Sequence, residues 1–150
     1  MDLWRISKYS SLSGEGGLRY SARWHTAGRR IVYLAESPAG AMIEVLVHME
    51  LNEKSWPRYY DLMRVTAPDN LGVEAIRVPG EDWKRSPDVT RKIGDQWLDS
   101  QRTVLARVPS AILPNTWNVL LNPAHRAANR VHIAETVRAE YDPRLFAKSV

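Results

Sequence analysis

A chain of 150 residues, 44% apolar and 25% charged, has the makeup of one globular domain spanning 1–150, long enough to bury roughly two-thirds of its unfolded surface. It holds no cysteine, which excludes disulfides, thiolate nucleophiles and cysteine-ligated zinc, and no apolar run approaches a membrane span, so a cytoplasmic domain is expected. The net charge of +4 permits an anionic partner without choosing among nucleic acid, an acidic protein and a phosphate-bearing small molecule.

Residues 3–7 alternate and predict a first strand, followed by a Ser/Gly loop over 10–17 that could approach a ligand closely. The run 31–35 is β-branched and aromatic, bounded by Gly28 and by Ser37-Pro38, and predicts a strand. Ser37 is the expected N-cap of the helix that follows, with Pro38 at the first helical position, where its missing N–H costs nothing. Ala41, Met42, Ile43, Val45, Leu46, Val47 and Met49 make that helix apolar nearly all round, so it should be buried on most sides.

A turn near Asn52 leads to a strand within 59–65, and 68–72 is a turn. Residues 73–87 carry Pro79-Gly80 and Pro87 and read as irregular. Ser86-Pro87 starts a second helix to about residue 100, with Val89, Ile93, Trp97 and Gln101 along one face. Strands follow over 103–108, 117–121 and 134–141, with a short helix or turn within 124–130. The expected architecture is a mixed α/β (α+β) domain with a strongly bent mixed sheet.

Glu44 is the residue that asks for an explanation. It is a single carboxylate inside an apolar helix, and a charge there must be paired or must face a polar cleft. Arg19, Arg23, Arg29 and Arg30 lie just upstream. Two readings stand: a structural ion pair with one of these arginines, or a cleft with arginines on one wall, Tyr33 on the strand and Glu44 on the helix. The abundance of Trp and Tyr over Phe leans toward aromatics lining a polar cleft. No Gly-rich phosphate loop is present, and His25, His48, His125 and His132 lack metal-ligand spacing, so no metal is expected. His48, four residues after Glu44, suits a local hydrogen bond or core packing. Ser110, Asn118 and Asn122 each suit a turn or a strand end when taken singly.

Taken in order, several segments resemble the RES-domain family, named for its Arg, Glu and Ser. They are Leu3-Trp4-Arg5-Ile6, Leu12 to Gly16, Ala22-Arg23-Trp24-His25, Val32 to Ser37, Ile43 to His48, Val108-Pro109-Ser110-Ala111, Asn118 to His125, and Asp142 to Phe146. The resemblance covers nearly the whole chain. It departs at Ala22 and His25, where the family often has Gly-Arg-Trp-Asn. It implies an ADP-ribosyltransferase-like fold and the toxin of a type II toxin–antitoxin pair, opposed by an Xre-type helix-turn-helix antitoxin through which alone DNA is touched. The implied activity is NAD destruction by cleavage of the nicotinamide–ribose bond, as an NAD phosphorylase or an NAD glycohydrolase. NAD is then substrate, inorganic phosphate a co-substrate for the phosphorylase, and no other cofactor is called for. A homodimer and the absence of a membrane partner are also implied.

Residue by residue, the resemblance places the family arginines on Arg5 and Arg23, the tyrosine on Tyr33, the glutamate on Glu44 and the serine on Ser110, with Ser86 its rival. In the implied chemistry Glu44, Arg23 and Tyr33 are catalytic, and Arg5, Ser110 and Asn118 bind NAD. Two other functions are carried beside it: transfer of ADP-ribose to a protein, and a non-enzymatic nucleic-acid-binding module using the positive charge and the tryptophans.

Overall fold

A computed structural model describes residues 1–49 and 57–146. Its strands are β1 (Asp2–Ile6), β2 (Val32–Ala35), β3 (Tyr59–Thr66), β4 (Val73–Ala75), β5 (Leu105–Pro109), β6 (Trp117–Leu121) and β7 (His132–Glu140). Its α-helices are the short α1 (Gly16–Arg19), α2 (Pro38–His48) and α3 (Pro87–Ser100), with single 3-10 turns elsewhere. The strands form one mixed sheet in the order β4-β5-β6-β2-β1-β3-β7, in which only β4 and β5 run parallel.

Strand alternation gives the sheet two faces with separate cores. On one face Val32 and Leu34 of β2 pack with Leu3, Met63, Val119 and Leu121. On the other, Leu120, Ala106 and Val108 lie under α3 and meet Trp24, Trp83 and Trp97. Full burial of a Leu- or Val-sized side chain stabilises by about 1.5–3 kcal/mol, so these two layers hold the strand order. The three tryptophans are core residues rather than cleft lining, a correction to the compositional lean.

Several local expectations change. Residues 73–87 are not wholly irregular, because Val73–Ala75 pairs in parallel with β5. A three-residue strand carries no periodicity of its own and exists only through its partner. In α3 the buried positions are Thr90, Gly94, Trp97 and Leu98, while Val89 is exposed and Gln101 caps the helix in the left-handed conformation. The face turned inward is therefore set by Trp97 and by a small residue that admits a neighbouring loop. In α2 only Gly40 and Ala41 are buried; Met42 through Leu46 are half-buried and Val47 is exposed. The expected turn near Asn52 lies outside the described residues. Among the described residues no helix is long and apolar enough to cross a membrane.

Candidate active site

The local sequence of α2 delivers Glu44 to the sheet. Ser37 Oγ accepts the Gly40 N–H at 3.0 Å and starts the helix, with Pro38 inside its first turn. A Cβ on Gly40 would lie 3.4 Å from that of Ala35, so the first turn rests closely on the end of β2. One turn later Glu44 Oε1 accepts from Asn118 Nδ2 at 2.8 Å. Asn118 stands on β6 opposite Ala35, so the amide that receives Glu44 is positioned by the β2–β6 ladder.

Glu44 is half-buried and has no ion-pair partner among the described residues. The structural ion pair is therefore not formed. Arg29 instead binds Asp99 of α3 through Nε and Nη2, both at 3.0 Å. Arg30 donates to the Ser13 carbonyl at 3.1 Å, and Arg19 is exposed. Of the four upstream arginines, these three are turned to other work or to solvent, which corrects the picture of a wall of arginines. His48 is exposed and packs into no core.

Register brings three of the expected residues to the face that receives Glu44. Tyr33 pairs with Leu120 and Ala35 with Asn118, making Tyr33 and Asn118 diagonal neighbours, a relation that spans about 7–8 Å. The Ser110 N–H donates to the Thr116 carbonyl at 2.8 Å, which prolongs the β5–β6 ladder and sets Ser110 diagonal to Asn118 on the same side. Ser110 is buried, and its Oγ accepts from the Ile112 and Leu113 N–H groups at 3.1 and 3.3 Å. Its hydroxyl proton remains for a further acceptor. Ser86 sits instead at the start of α3, and its side chain makes no cap hydrogen bond.

Arg23 enters this face on a loop gripped by α3. Thr90 Oγ1 donates to the Arg23 carbonyl at 2.6 Å, and Arg91 Nε donates to the Ala22 carbonyl at 2.8 Å. Asp95 Oδ1 accepts the Thr26 N–H at 2.9 Å. Gly94 makes the approach feasible, because a Cβ there would stand 1.7 Å from the Trp24 carbonyl oxygen. The loop then hands the Trp24 N–H to Tyr33 Oη at 3.2 Å. The Arg23 guanidinium donates to the Lys84 carbonyl at 3.1 Å and lies 5.7 Å from the centre of the Trp83 ring.

Arg5 is placed differently. Its Cα partner is Met63, so it shares the face of Leu3 and Met63, opposite to that of Tyr33 and Asn118. Its Nη1 donates to the Ser11 carbonyl at 2.9 Å, and burial lowers its pKa. Burial also raises the Tyr33 phenol well above its ordinary value, so Tyr33 is neutral and acts through its ring and hydroxyl, not as a phenolate.

His25 is the residue that sequence reasoning missed. It counted as a histidine without metal spacing and as a departure from the family motif, with no role assigned, yet it is buried with Nδ1 2.8 Å from Tyr33 Oη and Nε2 3.2 Å from the Gly17 carbonyl. Its place in that motif, two residues from Arg23, was the local signal.

The charges of the site form a pattern. Among the partly buried arginines, Arg29, Arg64, Arg91 and Arg107 each meet a carboxylate. Arg5 and Arg23 meet none among the described residues, and Glu44 meets no cation. On the face of Glu44 such an arrangement suits a ligand carrying an anionic group for the Arg23 guanidinium and a developing positive charge for the carboxylate.

The RES-domain pattern matches residues 2–142. This mixed-sheet α/β domain therefore belongs to the RES-domain family. Within it, the Toxin Res of Pseudomonas putida is 47% identical over 133 residues, 89% of this chain and 92% of that protein. A Prs ADP-ribosylating toxin of Sphingobium sp. is 36% identical and covers 97% of each chain. The fold matches a chain of the MbcT–MbcA toxin–antitoxin complex of M. tuberculosis with a TM-score of 0.70, at 18% identity over 93% of this chain and 84% of that one.

Proposed function

We propose that this chain is the toxin of a toxin–antitoxin pair and that it destroys NAD by cleaving the nicotinamide–ribose bond, with phosphate or water as acceptor. The observation that carries this reading is the charge pattern among the described residues: Arg23 partly buried without an acid, and Glu44 half-buried without a cation. NAD supplies both complements, a diphosphate and a ribose that turns cationic as nicotinamide leaves.

When the C1′–N1 bond breaks, its electron pair neutralises the pyridinium nitrogen and positive charge develops on the ribose, as in glycoside cleavage. Glu44 stabilises that charge, oriented by Asn118. Arg23 takes the diphosphate with the fork of its guanidinium. The neutral Tyr33 ring stacks on nicotinamide, and the Ser110 hydroxyl donates its free proton to the substrate. The acceptor then attacks C1′, giving ADP-ribose with water or ADP-ribose phosphate with inorganic phosphate.

Incubation of purified protein with NAD, with and without phosphate, followed by chromatography and phosphorus NMR, tests this directly. Nicotinamide release is expected; intact NAD in both reactions refutes the proposal. A second reading, transfer of ADP-ribose to a protein, is favoured by the ADP-ribosylating activity in the name of the Sphingobium relative. It predicts NAD loss only when an acceptor protein is added. The partner we propose is an Xre-type helix-turn-helix antitoxin: the toxin–antitoxin complex that shares this fold supports an antitoxin, and the type is taken from the RES-domain resemblance; a homodimer is proposed for the free toxin.

A further inference from the structure

The hydroxyl of Tyr33 is held from two sides. The Trp24 N–H donates to it at 3.2 Å, and His25 Nδ1 stands 2.8 Å away. The His25 ring is buried, with Nε2 3.2 Å from the Gly17 carbonyl. A carbonyl only accepts, so Nε2 carries the proton; in the neutral ring Nδ1 is then bare and accepts from the Tyr33 hydroxyl. The opposite tautomer would turn an Nε2 lone pair on the carbonyl and leave the phenol proton without an acceptor. One direction of donation therefore runs from Trp24 through Tyr33 and His25 to Gly17. With Cβ held by β2 this chain fixes the long axis of the ring, and because a phenol O–H lies in the ring plane, the direction of its bond to His25 Nδ1 sets that plane.

We infer that His25 is a positioning residue of the NAD site: anchored to Gly17 through Nε2, it accepts the Tyr33 hydroxyl at Nδ1 and holds the Tyr33 ring in its stacking orientation on the face that carries Asn118 and Glu44. This rests on the NAD reading proposed above. The charged groups that act on the pair come from α3, which contributes Arg91 and Asp95, and from the loop, which contributes Arg23. Burial is the largest influence on His25 and lowers its pKa; Arg91 acts in the same direction, and Asp95 and the backbone at Gly17 and Tyr20 act against it. The ring is thus neutral near neutral pH. Protonation in acid would place an N–H at Nδ1, remove the acceptor of Tyr33 and release the ring.

The test joins imidazole nitrogen NMR of the whole chain to steady-state NAD turnover in His25→Asn, His25→Leu and Tyr33→Phe, each checked for folding by circular dichroism. Asparagine keeps an acceptor near the position of Nδ1 but cannot reach Gly17; leucine offers neither contact. NMR of the wild type is expected to show the Nε2–H tautomer. His25→Leu should lower kcat by about tenfold, the scale of one lost neutral hydrogen bond, with KM little changed. His25→Asn should recover part of that loss and move the acid-side fall of kcat to lower pH, because the histidine that protonates is gone. In a Tyr33→Phe background His25→Asn should have no further effect. An Nδ1–H tautomer, additive losses in the two backgrounds, or an acid limb at the same pH in His25→Asn as in wild type would each overturn the inference. Intact NAD from wild type with the expected tautomer would instead overturn the NAD reading, and with it the role of His25 at that site, while leaving the hydrogen-bond chain in place.

Discussion

Gly94→Ala tests whether α3 is what holds the arginine loop in position. The added Cβ would lie 1.7 Å from the Trp24 carbonyl oxygen, 2.7 Å from its carbon and 3.2 Å from its Cα. All three atoms are backbone, so no rotamer change relieves the overlap. Clearing it requires a displacement of about 2 Å, given non-bonded optima near 3.5 Å. A shift of that size strains the bonds from Thr90, Arg91 and Asp95 to the loop. Overpacking costs about 1–3 kcal/mol, and each weakened hydrogen bond adds about 1 kcal/mol. The better helix propensity of alanine offsets about 1 kcal/mol. The net expectation is a loss of about 3–5 kcal/mol, read as a lower urea midpoint with an unchanged slope and a Tm lower by roughly 6–20 °C. Gly16→Ala is the control, because a Cβ there meets nothing within 4 Å. A Gly94→Ala protein as stable as wild type, with amide exchange in the 22–26 loop unchanged, would refute the clamp.

Glu44→Gln should fold normally, since a glutamine Oε1 can still accept from Asn118, and should lose NAD cleavage; near-normal turnover removes Glu44 from the mechanism. Arg23→Ala should raise KM for NAD by about 10- to 150-fold, the equivalent of about 1.5–3 kcal/mol for a charged hydrogen bond, and an unchanged KM excludes its phosphate role. Ser110→Ala leaves the Ile112 and Leu113 N–H groups without their acceptor and should cost about 1 kcal/mol in urea unfolding; an unchanged midpoint would mean that the turn holds itself. Because the pKa of His25 is lower in the folded chain than in the unfolded one, its contribution is fully present above the unfolded value of about 6.5 and is lost as pH falls through the folded value. Stability measured downward from neutral pH should therefore drop less in His25→Asn than in wild type, and parallel curves would contradict this.

Much of the site was readable because its signals are local. The Ser37-Pro38 cap, the β-branched strand before it and the single carboxylate in an apolar helix follow from neighbours in sequence, and the structure forms the cap and the strand as expected. The exclusion of Arg29 and Arg30 from the site was not readable, because Asp99 lies 70 positions from Arg29 and meets it only when α3 packs on the loop. Nor was the half-exposure of α2: hydrophobic patterning shows which side chains would gain from burial, not whether anything covers them.

Sequence by itself determined the main strands and helices and the family, since capping, β-branching and the order of short motifs are properties of adjacent residues. Tertiary structure decided which charges are paired. Asn118 reaches Glu44 because β6 lies beside β2, Arg23 is held in place because Gly94 admits the Trp24 carbonyl, and His25 serves Tyr33 because both are pressed between loop and sheet. Each of these depends on contacts between residues distant in sequence or on the packing around them, and the free energy of a charge or a phenol is set by those surroundings, not by its neighbours along the chain.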